Sequence, residues 1–282
     1  MTRPEGLNTK IFLDSGNPAD TKETLDLIGF LDGQTTNPSL IAKNPDIQQR
    51  ISDGGKLSDA DLRAFYKKTI QEIHTLLPKQ SISIEVYADK DTSIEEIVSQ
   101  AREMNSWIPT AHIKLPTTHA GLSAAEILSK EHMKLNMTLV FSEEQAAAVY
   151  AATTDAFVSP FVGRLDDIGK NGMDLIKNIQ QMYAEGNGHV QILVASIRTL
   201  DHFYAALSLQ ADIATVPLRI LQEWKNAGMP IPETNNYSPK LSPIAYQNVT
   251  LNKPWNNYNI HHDLTDAGLE RFAQDWNALL HK

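Results

Sequence analysis

One lysine stands where the sequence alternates polar with aliphatic residues in a short β-like segment. If this segment is a strand, Ala111, Ile113 and Leu115 point to one face, while His112 and Lys114 point to the other. An amine held in a low-dielectric interior loses hydration, so its pKa falls and the neutral form can attack a carbonyl carbon. Lys114 is therefore a candidate nucleophile for Schiff-base chemistry.

Neighbouring β-like segments carry polar side chains suited to the same chemistry. Asp14, Glu85 and Thr138 each fall on the polar side of such an alternation. An imine must lose and regain water, and carbon–carbon cleavage needs a base and then an acid, so carboxyls and a hydroxyl are suitable companions. Two alternatives stay open: Lys114 snorkels to solvent, or a carboxylate pairs with it in the interior and raises its pKa.

Eight β-rich segments alternate with amphipathic helical patterns, which predicts βαβ units around a parallel sheet. The predicted strands are 10–15, 33–37, 81–87, 110–115, 134–139, 155–159, 190–196 and 211–215. Eight such units in 282 residues indicate an α/β protein with a (β/α)8 TIM barrel. Polar residues near the carboxyl ends of the strands would then converge on the face where barrel enzymes carry their active sites.

Helix starts are predicted where an N-cap residue precedes a Glu or Gln by three positions, as at Asp20, Ser93 and Ser142. After the sixth strand, an apolar stripe with helical spacing predicts a further helix; it comprises Leu175, Ile179 and Met182.

The segment 226–258 contains five prolines and many asparagines, so it predicts an irregular surface arm. Beyond it, apolar residues recur at helical spacing and predict a terminal helix: Leu264, Leu269, Phe272, Trp276 and Leu279. We expect one barrel domain over 1–225. The arm and helix of 226–282 should pack on the barrel or on a neighbouring subunit, without forming a separate domain.

Composition excludes several classes of protein. With 41% hydrophobic residues, 21% charged residues and no apolar run of about eighteen, the chain should fold on its own and is not expected to enter a membrane. The absence of cysteine excludes disulfides, thiol nucleophiles and cysteine-bound metals. A net charge of -9 without a basic run disfavours nucleic acid as a partner. The first ten residues lack a secretory signal pattern, so a cytoplasmic location is expected.

A metal site is not expected either. The run His261, His262 and Asp263 has suitable ligands, but adjacent residues rarely converge on one ion.

Several long motifs, in order along the chain, resemble those of transaldolases. They are FLDSG at 12–16, TTNPSLIAK at 35–43, IKLP around Lys114, NMTLVFS at 136–142, SPFVGRLDDIG at 159–169, ASIR at 195–198 and ADIATVP at 211–217. The resemblance implies a (β/α)8 barrel whose Schiff-base lysine lies on the fourth strand. Lys114 falls on the fourth predicted strand, which was counted without the motifs.

The resemblance also implies roles for these residues in a cofactor-free transfer of a dihydroxyacetone unit between sugar phosphates. Lys114 would form the imine with the ketose phosphate, Asp14 would be the acid/base at carbon–carbon cleavage, and Glu85 with Thr138 would hold the catalytic water. The donor hydroxyls would be bound by Asn37, Asn136 and Ser159. The phosphate would be bound by Arg164, Ser196 and Arg198, which suits the bidentate geometry of guanidinium groups.

The same family includes fructose-6-phosphate aldolases, which release dihydroxyacetone. The pattern of those aldolases has Gln at the position of Glu85 and Tyr at the position of Phe161. At both positions this chain therefore resembles the transferases of the non-oxidative pentose phosphate pathway. Phe161 also lacks a hydroxyl that could place water for hydrolysis of the imine. A sulfosugar transaldolase and a non-catalytic sugar-phosphate sensor remain as further alternatives.

Two features concern the surroundings of the site. His112 stands where the family pattern predicts an aliphatic residue, and we expect it to be a buried structural histidine. The stretch LTDAGLERFAQDW at 264–276 resembles the terminal helix of small transaldolases, which predicts a homo-oligomer.

Overall fold

Eight parallel strands form a closed barrel in chain order, with the first strand paired to the last. The computed structural model describes residues 3–55, 57–234 and 236–280. The strands are β1 (Lys10–Asp14), β2 (Gly33–Thr35), β3 (Ser81–Glu85), β4 (Ala111–Pro116), β5 (Leu135–Val140), β6 (Ala156–Pro160), β7 (Val190–Val194) and β8 (Ile213–Val216). The predicted (β/α)8 barrel is therefore confirmed, and each strand starts and ends within two residues of its predicted bounds.

Helices connect the strands and cover the outside of the barrel. They are α1 (Pro18–Ile28), α2 (Pro38–Ala42), α3 (Pro45–Ser52), α4 (Asp59–Leu76), α5 (Ile94–Asn105), α6 (His119–Lys130), α7 (Glu143–Ala152), α8 (Val162–Asp167), α9 (Gly172–Tyr183), α10 (Leu200–Ser208), α11 (Leu218–Asn226) and α12 (Asp263–Asn277). The predicted stripe after β6 is buried on α9. None of the described helices is both long and apolar enough to cross a membrane.

Two of the three predicted helix starts are confirmed. Ser93 forms a reciprocal capping box with Glu96 at the start of α5, and the Ser142 hydroxyl accepts from the backbone N–H of Gln145 at the start of α7.

The prediction that Asp20 caps a helix is wrong. Helix α1 begins earlier because Pro18 favours the first turn and Asn17 is the N-cap, accepting from the backbone N–H of Ala19. The Asp20 carboxylate lies in the first turn, where it accepts a hydrogen bond of 2.6 Å from Ser15 Oγ.

Alternation along the strands separates an apolar outer layer from a partly polar interior. On β3, for example, Ile82 and Ile84 are fully buried, in alternation with the interior residues Ser83 and Glu85. This polarity inside a barrel departs from the usual filling by branched aliphatic residues, and it supplies the functional groups described below.

His112 fills the amino-terminal half of the barrel interior. Its ring stacks on Phe157 with the centroids 4.4 Å apart, and its Nδ1 lies 2.8 Å from Ser81 Oγ. Burial lowers the pKa of His112 to about 4, so the ring is neutral at physiological pH. These contacts agree with a structural role.

After α11 the chain runs over the barrel as an arm and returns in α12. In the arm, the backbone N–H of Gln247 donates to the Glu143 carboxylate, and Trp255 Nε1 donates to Glu126 over 2.9 Å. Helix α12 lies against α2 and the end of β5, where Thr265 Oγ1 donates to the Leu139 carbonyl over 2.9 Å. The predicted terminal helix is thus present, and it packs on the barrel of its own chain.

Candidate active site

Lys114 projects into the barrel from β4, between Glu85 on β3 and Asn136 on β5, with which it is in register. The Lys114 Nζ lies 2.9 Å from Glu85 Oε2, and both side chains are 4% exposed. Nζ also lies 3.5 Å from the Thr36 carbonyl oxygen. Of the arrangements that the sequence left open, the structure contains the buried ion pair and not a lysine that reaches bulk solvent.

Two carboxyls surround this amine in an environment that favours their neutral form. Burial raises the pKa of Asp14, although the charge of Lys114 and a hydrogen bond from Thr35 oppose the rise. Burial likewise raises the pKa of Glu85, against the opposing charges of Lys114 and Arg164. A raised pKa makes the protonated form of a carboxyl more accessible, and acid/base catalysis uses both forms.

Asp14 is oriented by a short chain of hydroxyls across the barrel. Thr35 Oγ1 donates to Asp14 Oδ1 over 2.8 Å and lies 2.5 Å from Thr215 Oγ1. These contacts connect the ends of β1, β2 and β8 and fix the carboxyl at one side of the amine.

The Thr138 hydroxyl on β5 is fully buried and has no hydrogen-bond partner among the residues that the structure describes. The backbone carbonyl of the same residue accepts from the N–H and the hydroxyl of Thr117 over 2.9 and 2.8 Å. A buried hydroxyl of this kind is usually satisfied by an ordered water. Thr138 therefore has a free hydrogen-bonding group for a water molecule.

Amide and hydroxyl groups on adjacent strands form a chain beside Lys114. Ser159 Oγ donates to Asn136 Oδ1 over 2.6 Å, and Asn136 Nδ2 donates to Ser83 Oγ over 3.0 Å. Asn37 lies at the start of α2, where its Oδ1 accepts from the backbone N–H of Leu40 over 2.8 Å. The side-chain oxygen of Asn37 is thus engaged in capping, while its side-chain nitrogen Nδ2 can donate to a ligand.

Arg164 comes from α8, directly after β6, and its guanidinium lies between two aromatic rings. The guanidinium carbon is 5.2 Å from the ring centroid of Phe161 and 5.3 Å from that of Phe272. Burial lowers the pKa of Arg164, and the charges of Arg198 and Arg271 act in the same direction. Three guanidinium groups therefore share this end of the site.

Ser196 and Arg198 lie in the loop after β7. Ser196 has a φ of 58°, in the left-handed region that non-glycine residues rarely adopt. Arg198 is exposed and pairs with Asp167, while Arg219 donates to its carbonyl oxygen. An unusual backbone conformation at a ligand-binding loop persists only where surrounding contacts hold it.

A buried histidine supplies one such contact. His202 Nδ1 accepts from the Arg198 backbone N–H over 3.3 Å, so its Nε2 carries the proton and lies 2.7 Å from Asp166 Oδ2. Tyr237 of the arm donates to the same oxygen over 2.8 Å. This network, which we call the Asp166–His202–Tyr237 network, ties the arm to the loop that carries Arg198.

Most of the predicted site residues line one cavity of about 290 Å³ at the carboxyl ends of the strands. The predicted residues on its wall are Asp14, Asn37, Lys114, Ser159, Phe161, Arg164, Ser196 and Arg198. The remaining three, Glu85, Asn136 and Thr138, are buried beneath that wall. The cavity thus has an amine and carboxyls at one end and guanidinium groups at the other.

The sequence did not identify the other residues on the wall as part of a site; they are Thr35, Ser39, Leu40, Lys43, Leu193, Ala195, Thr215, Arg271, Phe272 and Asp275. Ser39 Oγ donates to Asp275, and Arg271 Nε lies 3.1 Å from the Asp275 carboxylate. Arg271 and Asp275 have the i,i+4 spacing of an ordinary surface pair on a helix. The sequence contained no signal that would have distinguished them from such a pair.

A larger cavity of about 580 Å³ lies between α4 and α5, where Asp59, Asp89, Asp91, Glu96 and Glu103 line it with Arg63. It contains no lysine and lies apart from Lys114. We therefore place the candidate active site in the smaller cavity.

The adjacent His261, His262 and Asp263 serve other purposes. His262 caps α12 by accepting from the Leu264 backbone N–H over 3.1 Å, and His261 Nε2 lies 3.4 Å from Asp266. Within the described ranges no three His, Asp or Glu side chains are grouped so as to hold a metal ion.

Comparison with known proteins gives one consistent family over nearly the whole chain. A sequence profile of the family described as Transaldolase/Fructose-6-phosphate aldolase matches residues 11–282. A "Probable transaldolase" of Dehalococcoides mccartyi is 36% identical over 270 residues, covering 96% of this chain and 99% of that protein. Proteins of the same name are similar: that of Methanococcus vannielii is 35% identical over 273 residues, 96% of this chain and 99% of its own. That of Syntrophobacter fumaroxidans is 35% identical over 269 residues, which cover 95% of this chain and 96% of that protein. The likeness extends over the barrel, the arm and α12.

Proposed function

The chain belongs to the transaldolase/fructose-6-phosphate aldolase family, and from this premise we propose that it transfers a dihydroxyacetone unit from a ketose phosphate to an aldose phosphate through a Schiff base on Lys114. The observation that carries the proposal is the buried pair of Lys114 and Glu85, 2.9 Å apart, of which Lys114 lines a cavity that Arg164 and Arg198 also line. A ketose phosphate has the matching polarity, with a carbonyl near one end and a dianion at the other.

The reaction begins with the amine. When the Lys114 proton passes to Glu85, the neutral Nζ attacks the ketose C2. The attacking nitrogen then gives up a proton and the carbonyl oxygen takes it, which yields a carbinolamine. Its hydroxyl leaves as water after protonation by Glu85, which leaves an iminium ion on Nζ. Thr138 would bind this water with its otherwise unpartnered hydroxyl.

Asp14 then acts at carbon–carbon cleavage. Its carboxylate removes the proton of the C4 hydroxyl, the C3–C4 bond breaks, and the electron pair passes to the iminium to form an enamine. The aldose phosphate leaves with the new aldehyde. In the second half, the enamine carbon attacks the acceptor aldehyde, Asp14 returns its proton to the resulting alkoxide, and hydrolysis of the imine frees Lys114.

The remaining polar groups would bind the substrate. Asn37, Asn136 and Ser159 are placed around the amine end of the cavity, where they would hydrogen-bond the donor hydroxyls. At the other end, Arg164, Ser196 and Arg198 would bind the phosphate, since two guanidinium groups and a hydroxyl match its oxygens. Fructose 6-phosphate and sedoheptulose 7-phosphate fit this description of the donor.

Transfer is favoured over simple cleavage by the character of Phe161. Its ring packs against Phe141 at 5.9 Å and under Arg164, so the position adds no hydroxyl to the cavity wall. With no hydroxyl there to direct water to the enamine or imine, the three-carbon unit should persist until an aldose arrives.

We also propose that the reaction needs no cofactor, because the Lys114 imine is itself the electron sink. The proposed setting is the non-oxidative pentose phosphate pathway in the cytoplasm, and the proposed assembly is a homo-oligomer. Residues 226–282 are proposed to act as one unit with the barrel of 1–225, because Phe272 lies on the cavity wall.

The test is product formation from fructose 6-phosphate with and without erythrose 4-phosphate, followed by mass spectrometry. Sedoheptulose 7-phosphate that appears only with the acceptor is the expected result. Free dihydroxyacetone formed at a comparable rate without acceptor would instead establish a lyase. An absence of any reaction would direct the same assay to sulfosugar donors before a sensor is considered.

A further inference from the structure

The missing side chain of Gly268 on α12 makes room for Arg164. A methyl group at this position would overlap Nη1 of Arg164 and would lie 2.6 Å from Cδ2 of Leu139. Real carbon contacts of this kind are never so close, so any residue other than glycine must displace the guanidinium or the Leu139 side chain. The guanidinium therefore occupies space that only a glycine leaves free.

Phe272 lies one helical turn further along the same face of α12. Its ring faces the Arg164 guanidinium carbon at 5.3 Å, opposite Phe161 at 5.2 Å, and the two aromatic residues are 5% and 7% exposed. A guanidinium between two ring faces is attracted to both and keeps its N–H groups free at its edge. The two rings determine the orientation of the guanidinium plane, and the absence of a side chain at Gly268 determines how closely the guanidinium approaches α12.

Helix α12 is itself held at this spot by specific hydrogen bonds. Thr265 Oγ1 donates to the Leu139 carbonyl over 2.9 Å and accepts from Gln145 Nε2 over 2.8 Å. Leu139 has a φ of 60°, so its carbonyl departs from the regular strand direction at the irregular end of β5. The helix face that meets Arg164 is thus tied to the strand end beside the site.

We propose that Gly268 and Phe272 are positioning residues that set the Arg164 guanidinium for the anionic end of the substrate, so that α12 determines the preference for phosphorylated over phosphate-free donors. The inference rests on the proposed function, because it assumes that the anion binds at Arg164.

The test is Gly268→Ala, with steady-state kinetics on fructose 6-phosphate and borohydride trapping of dihydroxyacetone. Alanine is favoured over glycine within a helix, and the atoms it meets are the ends of the Arg164 and Leu139 side chains and not backbone, so the fold should survive. We expect KM for fructose 6-phosphate to rise about 10- to 100-fold, as for loss of a hydrogen bond to a charged group. The trapping of dihydroxyacetone, which has no phosphate, should keep its native rate.

Phe272→Leu provides a second variant and Phe272→Tyr its conservative partner. Leucine keeps an apolar residue but removes the ring face, so KM for fructose 6-phosphate should rise as it does in Gly268→Ala. Tyrosine keeps the ring face, so its KM should equal that of the native enzyme. Ala267→Ser, at the exposed neighbouring position, is the matched control and should match the native enzyme. Circular dichroism of each variant checks the fold.

A native KM for both Gly268→Ala and Phe272→Leu would overturn the inference, and so would an equal loss of dihydroxyacetone trapping. If the native protein itself traps neither fructose 6-phosphate nor dihydroxyacetone, the proposed function fails instead.

Discussion

The two ends of the cavity are built in different ways. At the amine end, Lys114 and Glu85 project from β4 and β3 in register with each other, and Asp14 projects from β1 in register with Thr35 of β2. At the anion end, Arg164 and Arg198 come from a short helix and a loop that follow the strands. The barrel thus fixes the proposed reacting groups directly, whereas the proposed anion site depends on segments that follow the strands.

The difference extends to what supports each end. The amine end is held by strand pairing and by hydroxyls of the barrel interior, such as Thr35 and Thr215. The anion end is held by residues from beyond the barrel, including Phe272 of α12 and Tyr237 of the arm. We therefore expect substitutions at the amine end to change kcat, and substitutions at the anion end to change KM.

Replacement of the nucleophile should have the largest effect. Lys114→Met removes the buried amine that we propose as the imine-forming group, and turnover should fall by about 10³-fold or more. Mass spectrometry after borohydride reduction should detect the substrate adduct on the native protein and none on the variant.

Substrate binding by the same variant distinguishes an enzyme from a sensor, since binding of fructose 6-phosphate should persist without an adduct. Retained turnover would show that another residue is the nucleophile. The comparison of an amine end with an anion end would then lose its basis.

Asp14→Asn should separate imine formation from carbon–carbon cleavage. The variant keeps Lys114 and Glu85, so fructose 6-phosphate should still be trapped, while turnover should fall by about 10²- to 10⁴-fold for want of the acid/base. Mass spectrometry should detect the reduced adduct of intact, six-carbon fructose 6-phosphate on the variant. Equal loss of trapping and turnover would place Asp14 in imine formation instead.

The same substitution has an effect on stability with a defined pH dependence. Because burial raises the folded-state pKa of Asp14, the unfolded state ionises first, and ionisation opposes folding as the pH rises above the ordinary pKa of 3.8. Asp14→Asn should therefore be more stable than the native protein at pH 7. The difference should disappear below the ordinary pKa of 3.8, where the carboxyl is protonated in both states. Urea unfolding across this pH range measures it, with exposed Asp26→Asn as the control.

At the anion end, Arg164→Lys should raise KM for fructose 6-phosphate by about 10- to 100-fold and change kcat little. Lysine keeps the charge but loses the planar fork that stacks between two rings. Arg102→Lys, at an exposed pair with Glu131 remote from the cavity, should leave both constants unchanged. A fall in kcat without a rise in KM would erase the distinction between the two ends.

Residues that strands carry could be predicted from the sequence. Alternation of Ile82 and Ile84 with Ser83 and Glu85 fixes which side chains face the interior, and parallel strands bring their ends together. This alternation is sufficient to predict that Lys114 and Glu85 face the same interior. The roles of Asn136, Ser159 and the arginines came from the resemblance alone.

Contacts made by helices could be predicted only in part. The apolar period of α12 predicts that Phe272 is buried, but not that it meets Arg164, because one sequence does not specify which surface a helix covers. Gly268 has no side chain to contribute to a pattern. At α1, the spacing of Asp20 and Glu23 predicted a cap at Asp20, but Pro18 favours the first helical position and places the cap at Asn17.

The smallest effect should come from the arm. Tyr237→Phe removes the hydroxyl that donates to Asp166 over 2.8 Å and lies 2.9 Å from His202 Nε2, while Asp166 and His202 remain 2.7 Å apart. Losing one net hydrogen bond of about 1 kcal/mol should raise KM for fructose 6-phosphate about 2- to 5-fold, through the Arg198 backbone that His202 holds. Neither kcat nor dihydroxyacetone trapping should change. Tyr246→Phe, on the same arm, is the control, because Tyr246 makes no hydroxyl hydrogen bond within the described ranges. The Asp166–His202–Tyr237 network contacts the Arg198 backbone through His202, and Asp166 lies on α8 with Arg164, so both of its connections lead to the arginines. A change in kcat from Tyr237→Phe would therefore mean that the arm acts on the amine end as well.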